Sequence, residues 1–331
     1  MKKQPEYCSA FNYDLSETVA YNNPLFPAYA RYGILSSYPD YSAIGHWHKD
    51  LEFIVVRKGS MTYNINGELV ELTEGNGVMV NSRQLHYGFS AEHNECEFIC
   101  VILSPELLQG NEWFYQTYVE HVSENPACSY LLLSHSDASD SWQAAILDKL
   151  DALYASFEGV PVSSLPYFDV IAGFTFIMKL LYENIKTEHP VKTQESSELA
   201  SLRNMITYID SHYAERILLD DIALSGACCK SRCSMLFKKY LCDTPVTYVT
   251  KLRLRKSLIS LLEFDKTITD VAFECGFSGT SYYCETFKKY YGTSPLLYKK
   301  MHRATPHPQS DSSASNSFPV AKGLPTSHLP W

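Results

Sequence analysis

The 331-residue sequence has no long hydrophobic run. A membrane-spanning helix needs roughly 18 consecutive apolar residues, and no stretch of the chain approaches that length. The first residues, MKKQPEYCSAF, also lack the apolar segment of a signal peptide. These absences argue against a membrane partner and against secretion, and they predict a cytoplasmic location.

Cysteine pairs are missing as well. The ten cysteines include no CxxC pair of the kind that holds zinc or forms a redox couple. Free cysteine packs as a small hydrophobic residue, so we expect most of these thiols to be reduced and buried. The sequence therefore offers no cysteine-based zinc or redox site.

A positive overall charge, which would favour nucleic acid as a partner, is absent too. The net charge is -9, but it is unevenly distributed. Residues 1–197 contain 11 Lys and Arg against 25 Asp and Glu, whereas residues 198–303 contain 16 against 11. The first part would repel a polyanion and the second could bind one, which indicates two domains with different partners.

Residues 28–103 have the pattern of β-structure. Short apolar runs, such as FIVV at 53–56 and FICVIL at 98–103, alternate with turn signals that include Asn66-Gly67. Many short strands at this spacing are typical of a barrel or jelly roll. We therefore predict a β-barrel domain over residues 1–135.

Two helices and two polar segments complete the outline. Helical periodicity runs through residues 142–157 and, after a Pro/Ser break, through the more apolar residues 167–185. A helix that is apolar over most of its circumference needs burial on several sides, so we assign residues 136–190 to dimerisation. The polar residues 191–198 are predicted to be an interdomain linker, and the Ser/Pro-rich residues 304–331 a disordered tail.

The segments FKKYLCDTP, from Phe237, and FKKYYGTSP, from Phe287, form an internal repeat. Each belongs to a longer unit in which a short helix, a turn and a second helix follow one another, so each is predicted to be a helix-turn-helix. Gly276 can supply the positive φ of the second turn, and Ser278 can cap the helix after it. A long helix between the units would fix their separation, so that two units that each bind DNA weakly act as one two-site DNA-binding domain.

The second unit carries the most specific signature in the chain. It matches the pattern GF…SYF…FKK…G.SP…Y with Gly276, Phe277, Ser281, Tyr282, Tyr283, Phe287, Lys288, Lys289, Gly292, Ser294, Pro295 and Tyr298. On these residues, positions 199–303 resemble the all-α DNA-binding domain of AraC/XylS-family transcription regulators. The resemblance implies that two recognition helices enter successive major-groove segments of double-stranded DNA. The residues expected to contact DNA are Lys230, Ser231, Arg232, Ser234, Met235, Lys238, Lys239, Thr280, Ser281, Tyr282, Glu285, Lys288 and Lys289.

Two of these residues depart from the family pattern. The family often has Arg two residues before the repeated Phe, where this chain has Met235 and Glu285. Met235 could contact a thymine methyl group and Glu285 could accept a hydrogen bond from cytosine N4, each discriminating by roughly 1–3 kcal/mol. The alternative for Glu285 is an ion pair with Lys288 or Lys289 along the helix.

A second motif lies in the β-rich region. The stretch HWHKDLEFIVVRKG supplies His46, His48 and Glu52, and His86 follows in GNGVMVNSRQLHYG. Histidines at i and i+2 on a strand share a face, so both can reach a barrel interior. The spacing resembles the two cupin motifs, and three His with one Glu suit iron, manganese, nickel or zinc.

Two interpretations of this cupin-like motif stay open. In AraC-type regulators an N-terminal cupin more often serves as a small-molecule sensor than as a metalloenzyme. The four residues could therefore hold a divalent metal ion, or they could line an effector pocket together with Trp47 and Tyr63. The aromatic and hydroxyl groups near the barrel mouth would suit a sugar or a small aromatic compound.

The sequence as a whole predicts an α+β multidomain protein. It has an N-terminal cupin-like β-barrel (jelly roll) with a helical dimerisation pair, and a C-terminal all-α domain with two helix-turn-helix motifs. The resemblance implies a homodimeric regulator of promoter DNA that responds to a small-molecule effector; as an activator it would contact RNA polymerase. The alternative is a metal-dependent cupin enzyme or metal sensor fused to a DNA-binding domain. The repeat and the split charge favour the regulator over an enzyme.

Overall fold

The computed structural model describes residues 10–11, 14–135, 142–161, 166–185, 197–262 and 266–303. The predicted tail, 304–331, and most of the predicted linker, 191–196, lie outside the described residues. None of the described helices combines the length and the apolar character that crossing a bilayer requires. The nine cysteines within the described residues are free thiols, and five of them are buried.

Antiparallel strands dominate the N-terminal part of the chain. The described strands are β1 (Ala10–Phe11), β2 (Glu17–Thr18), β3 (Ala28–Ile34), β4 (Leu51–Ile65), β5 (Glu68–Thr73), β6 (Gly77–Val80), β7 (His86–Phe89), β8 (Cys96–Leu103) and β9 (Tyr130–Leu133). Strands β3 to β9 form one sheet in which β4 takes part twice. Its first half pairs with β6 and β8, and its second half pairs with β5 and β7, so the sheet folds over on itself.

The change of partner along β4 occurs next to Gly59. The register with β8 shifts between Val56 and Lys58, and Gly59 has φ +79°. A Cβ atom at Gly59 would lie 2.2 Å from the carbonyl oxygen of Glu95, so only glycine fits this bend. The resulting two-layered antiparallel structure confirms the predicted cupin-like β-domain.

Alternation along β4 separates the inside of this β-domain from its outer face. Phe53 and Val55 belong to the apolar cluster shared with the helical pair, whereas Ile54 and Val56 belong to the cluster inside the barrel. Successive strand side chains point to opposite faces, so one strand serves both cores.

Short helices and the helical pair lie against the sheet. The helices are α1 (Glu112–Phe114), α2 (Glu120–Ser123), α3 (Trp142–Phe157) and α4 (Tyr167–Asn184), with a π-helical turn at Tyr115–Val119 and 3₁₀ turns at Leu35–Ser37, Pro39–Tyr41 and Pro105–Leu108. Leu150 of α3 and Phe174 of α4 are fully buried against the sheet. Phe168 of α4 remains 90% exposed, so α4 presents a second apolar face to solvent.

The elements of the C-terminal part are all helices within its described residues. It comprises α5 (Ser197–His212), α6 (Leu219–Ser225), α7 (Lys230–Leu241), α8 (Pro245–Leu262), α9 (Ile268–Glu274), α10 (Thr280–Tyr291) and α11 (Pro295–Arg303). Helices α6–α7 and α9–α10 are the two helix-turn-helix units, and α8 connects them, which confirms the predicted all-α domain. Helix α5 begins at Ser197, so it includes the last two residues of the predicted linker, where Glu198 suits the positive end of the helix dipole.

The two units match residue for residue where the repeat aligns them. Phe237 of α7 and Phe287 of α10 are both fully buried. Both recognition helices end on a left-handed residue, Cys242 with φ 54° and Gly292 with φ 71°. Glycine is the usual residue at such an end, so Cys242 occupies a conformation that is costly for a residue with a Cβ atom.

The turn of the second unit is partly as predicted. Gly276 has φ +80°, and a Cβ there would lie 2.5 Å from the carbonyl oxygen of Tyr213, so glycine is required. The prediction that Ser278 caps α10 is wrong, because the helix begins at Thr280 and its N-cap is Gly279, without a side-chain cap.

Candidate effector pocket and DNA-binding surface

A cavity of about 360 Å³ opens inside the barrel. Its walls are mainly apolar and include Val19, Leu35, Ile54, Met61, Phe98 and Ile102. Its polar lining residues include Glu17, Arg31, His46, Glu52, Tyr63 and Tyr87. The cavity is large enough for a small organic molecule, although it lies near the lower end of the usual range for ligand pockets.

The four residues of the cupin-like motif lie together beside this cavity. Glu52 is on β4 and His86 on β7, whereas His46 and His48 precede β4 and do not lie on a strand as predicted. His46 and Glu52 line the cavity, but His48 and His86, which were expected in the pocket, are not among its lining residues. His46 and His86 are joined by two backbone hydrogen bonds, from His46 N to His86 O (3.1 Å) and from His86 N to His46 O (2.8 Å). Glu52 stands at the start of β4, and its Oε2 lies 3.3 Å from His48 Nε2 and 3.4 Å from His86 Nε2. Each of the four residues offers one atom that can bind a metal ion, and these four atoms all lie within 4.8 Å of one another. These are the residues that could hold a metal ion.

Two further side chains hold this cluster in place. Tyr63 donates its hydroxyl hydrogen to Glu52 Oε1 at 2.6 Å. Glu17, from β2, places its Oε2 3.1 Å from His46 Nε2. Glu17 is far from the motif in sequence, and no spacing rule would have added it to the cluster.

Burial and charge set the protonation of the cluster. Burial opposes ionisation of Glu52, but His86 and His48 beside it hold the pKa of this carboxyl well below its usual range. Burial and the neighbouring His86 lower the pKa of His46. Burial and the adjacent Glu52 raise the pKa of Tyr63, which therefore stays protonated as a hydrogen-bond donor.

The predicted recognition residues lie on exposed helix faces. On α7 these are Lys230, Ser231, Arg232, Ser234, Met235, Lys238 and Lys239, and on α10 they are Ser281, Tyr282, Glu285, Lys288 and Lys289, with Thr280 half-buried. Among the described residues, Glu285 forms no ion pair with Lys288 or Lys289. Its carboxylate is thus available to a base, and its contact with DNA stays a prediction.

Comparison with known proteins identifies both halves. The family described as "AraC-like ligand binding domain" matches residues 29–151, and the one described as "Helix-turn-helix domain" matches residues 227–301. The HTH-type transcriptional regulator YdeC of Bacillus subtilis is 32% identical over 259 residues, which cover 78% of this chain and 86% of the relative. The chain belongs to the AraC family of transcription regulators.

Other relatives are more distant. The HTH-type transcriptional activator RhaS of Mannheimia succiniciproducens is 24% identical over 258 residues, covering 76% of this chain and 87% of that protein. A solved structure of an apo ToxT variant from Vibrio cholerae is 13% identical with a TM-score of 0.39, covering 85% of this chain and 99% of that one. With regulators as its relatives, this AraC-family chain is a DNA-binding transcription regulator with a ligand-binding domain, and not an enzyme.

Three N-terminal segments of this AraC-family protein contact the first helix-turn-helix unit: residues 14–18, 45–48 and 84–87, which we call the docking segments. Leu15 and Leu85 are buried in the core of that unit. A Cβ atom at Gly45 would lie 3.1 Å from Leu241. Trp47 packs against the same core, and the guanidinium of Arg203 lies 4.5 Å from its ring centroid.

The position of Trp47 corrects the expectation that it lines the pocket. Side chains alternate along residues 46–48, so Trp47 faces the opposite way from His46 and His48. Its indole Nε1 donates to the backbone oxygen of Asp14 at 3.1 Å, and its ring covers the first helix-turn-helix unit. Arg31, in contrast, lines the cavity although the sequence analysis did not predict it. The only indication in the sequence is that Arg31 is the single charged residue of the strand AYARYGI.

The β4–β5 turn forms a further contact with the first recognition helix. Asn64 Nδ2 donates to the carbonyl oxygen of Lys239 at 3.4 Å and to Cys242 Sγ at 3.6 Å. A Cβ atom at Gly67 would lie 2.8 Å from the side chain of Lys239. On the second unit, Cα atoms of α10 come within 8 Å of the 3₁₀ turn Pro39–Tyr41. Both recognition helices therefore adjoin the barrel.

Internal ion pairs also occupy part of the basic surface of α7. The carboxylate of Glu198, at the start of α5, lies 2.8 Å from Lys239 Nζ and 3.5 Å from the guanidinium of Arg232. Lys230 pairs with Asp220 at 2.8 Å. These exposed pairs are worth little each, so phosphate can displace the carboxylates at small cost.

Proposed function

We propose that this AraC-family protein regulates transcription in response to a small molecule bound in the barrel cavity. The observation that carries the proposal is the double role of the docking segments 14–18, 45–48 and 84–87. Each segment places at least one side chain in the polar end of the cavity and at least one against the first helix-turn-helix unit. A ligand that moves a segment therefore acts on the DNA-binding domain directly.

A switch of this kind needs a difference in affinity. The effector must bind one arrangement of barrel and DNA-binding domain better than another, since equal affinity for both shifts no population. The arrangement seen here docks the first unit on the barrel through Leu15, Trp47 and Leu85. We propose that effector binding weakens or reshapes this contact and so changes how the two recognition helices are presented to promoter DNA.

The lining of the cavity narrows the class of effector. Its surface is mostly apolar, which disfavours a sugar because the many hydroxyls of a sugar would be left without partners. The Arg31 guanidinium is a fixed positive charge in the wall. We therefore propose a small aromatic compound that carries an anionic group.

A second copy of the chain is the proposed partner of α4. Phe168 and Phe176 are exposed on this helix at 90% and 39%, and Ala172 lies between them on the same face. The opposite face of α4 is already buried on the barrel, and a second copy of the chain would bury this exposed apolar stripe as well. Sedimentation of the full chain is expected to show a dimer at micromolar concentration, reduced to monomer by Phe168→Asp but not by Leu69→Asp on exposed β5; a monomeric wild type would contradict this.

The remaining parts of the proposal follow from the family. A relative, RhaS, is named a transcriptional activator, and we propose the same sign of regulation here, with RNA polymerase as the further partner. The regulator would act in the cytoplasm, where promoter DNA is accessible. The enzyme alternative is not proposed, because the relatives are regulators.

Removing the charge of Arg31 tests the pocket. A thermal-shift screen of the full chain against aromatic carboxylates and sugars is expected to yield carboxylates that raise the melting temperature and alter DNA affinity. Arg31→Met should weaken these ligands by about 10-fold or more, because a charge-assisted hydrogen bond contributes roughly 1.5–3 kcal/mol. Arg83→Met, at an exposed arginine outside the cavity, is the matched control. Ligands that bind equally to Arg31→Met, or that leave DNA affinity unchanged, would refute the proposal.

A further inference from the structure

Four potential metal ligands converge beside the cavity. His46, His48, Glu52 and His86 each offer one donor atom, and these four atoms all lie within 4.8 Å of one another. Glu52 Oε2 lies 3.3 Å from His48 Nε2 and 3.4 Å from His86 Nε2. Ligands held about 2.0–2.2 Å from one ion lie roughly 3.0–3.5 Å from one another, so these separations suit a shared cation. Glu17 places its Oε2 3.1 Å from His46 Nε2 but does not belong to this set of four.

The three imidazoles are oriented in the same way. Each Nδ1 lies within hydrogen-bonding distance of a backbone carbonyl: His46 with Ile44 O (2.8 Å), His48 with Asp50 O (3.1 Å) and His86 with Gln84 O (2.8 Å). A carbonyl oxygen only accepts, so Nδ1 carries the hydrogen in all three rings. A ring that carries only this hydrogen directs its Nε2 lone pair at the carboxylates, as a metal-binding histidine does.

Without a cation this arrangement is unfavourable. Two nitrogen lone pairs would face the carboxylate oxygen Glu52 Oε2, and the buried His86 Nε2 has no hydrogen-bond partner among the described residues. A buried polar atom without a hydrogen-bond partner destabilises the fold. Glu52 Oε1 is already occupied by the Tyr63 hydroxyl, which leaves Oε2 as the oxygen that faces the histidines.

Glu17 extends the site beyond the barrel strands. Its backbone is fixed to the neighbouring segment by the hydrogen bond from Glu17 N to Trp47 O (2.9 Å). Its side chain is largely buried, with 11% of its surface exposed, and points to the cluster. The contact of Glu17 with His46 joins β2 to the site, and Leu15, two residues earlier, is buried in the first helix-turn-helix unit.

We propose that this site binds one divalent transition-metal ion per chain, with His46, His48, Glu52 and His86 as ligands and Glu17 as a positioning residue for His46. The proposal deepens the proposed function, because the ion would form one end of the effector pocket. Three imidazoles with one carboxylate suit Fe²⁺, Mn²⁺, Co²⁺, Ni²⁺ or Zn²⁺. The competing account is a metal-free cluster in which an imidazole is protonated and pairs with Glu52.

The test uses Co²⁺, whose visible absorption reports its ligands. Full-length protein is stripped with a chelator, dialysed and titrated with CoCl₂, with absorption and calorimetry followed together. The wild type is expected to bind one Co²⁺ per chain with new visible bands, and Zn²⁺ should displace it. Absence of saturable binding would overturn the proposal and leave the protonated cluster.

Variants assign the ligands. Glu52→Gln, which keeps the shape of the side chain, and His86→Ala should abolish binding, whereas His93→Ala, at a half-exposed histidine, should bind as the wild type. Glu17→Gln should retain the stoichiometry with an affinity lower by about 10-fold or more, because Glu17 positions His46. Unchanged affinity in Glu17→Gln would exclude this role for Glu17. Circular dichroism of each variant separates loss of a ligand from loss of the fold.

The DNA-binding activity of the same samples separates this proposal from the regulator proposal. If stripped protein recognises DNA but takes up no Co²⁺, the metal site is wrong and the regulator stands. If Co²⁺ binds at one equivalent but no DNA sequence is recognised, the metal site stands and the regulator proposal fails.

Discussion

Replacing Lys288 and Lys289 together with alanine is expected to weaken binding to any DNA sequence by about one to two orders of magnitude. Both lysines are exposed in the last turn of α10, and neither forms an ion pair among the described residues. Each lost phosphate contact should reduce the slope of log K against log salt by about 0.9, so the double variant should lose about 1.8. Fluorescence anisotropy with labelled duplex DNA at several salt concentrations measures both quantities.

The matched control is a double variant on the barrel, Lys49→Ala with Lys58→Ala. It removes the same charge from exposed lysines that lie outside the recognition helices. Its salt slope should equal that of the wild type. A double variant of α10 with an unchanged slope would show that Lys288 and Lys289 do not contact phosphate.

Phe287→Ala is expected to destabilise the second helix-turn-helix unit by about 3–5 kcal/mol. Phe287 is fully buried and meets Tyr283 and Tyr298 edge to face, at centroid distances of 5.6 and 5.7 Å. The core around Phe287 is small. Within the described residues, this core is a single apolar cluster between α8 and α11. Losing one aromatic ring there should unfold α10, while the barrel and the first unit stay folded.

Two measurements check this prediction. Thermal unfolding should show an early transition in Phe287→Ala, and DNA binding should fall to the level of a single unit. Phe273→Ala, on the exposed face of α9, is the control and should change stability by no more than about 0.5 kcal/mol. Wild-type DNA affinity in Phe287→Ala would contradict the view that α10 reads DNA.

Local features of the C-terminal domain could be predicted from the sequence. The repeat aligns Phe237 with Phe287 and Cys242 with Gly292, and the structure places each pair in equivalent positions. Helix formation depends on spacings of three and four residues, which a sequence displays directly. The start of α10 differs from the prediction, because Gly279 rather than Ser278 precedes the helix.

Only part of the N-terminal site could be predicted from the sequence. The spacing of His46 and His48 predicts that their side chains share a face, and the structure brings both to the cluster with His86, although they precede β4 and do not lie on a strand. Arg31 was missed because it reaches the cavity from β3, whose partner β8 is distant in sequence, and Glu17 was missed because its segment is hydrogen-bonded to Trp47, also distant in sequence. Periodicity encodes neither relation. The prediction that Trp47 lines the pocket was wrong. Alternation predicts that its side chain faces away from the histidines, but only the packing of the two domains shows that a helix-turn-helix unit covers it.

Selection of binding sites from a random duplex library by the full-length wild type tests the central claim, that one chain reads two successive turns of DNA. The selected sites should contain two sequence elements whose centres lie about 10–10.5 base pairs apart on one face of the duplex, one for α7 and one for α10. Phe287→Ala should retain only one of them. Sites with a single element for the wild type, or no enrichment of any sequence, would contradict the claim.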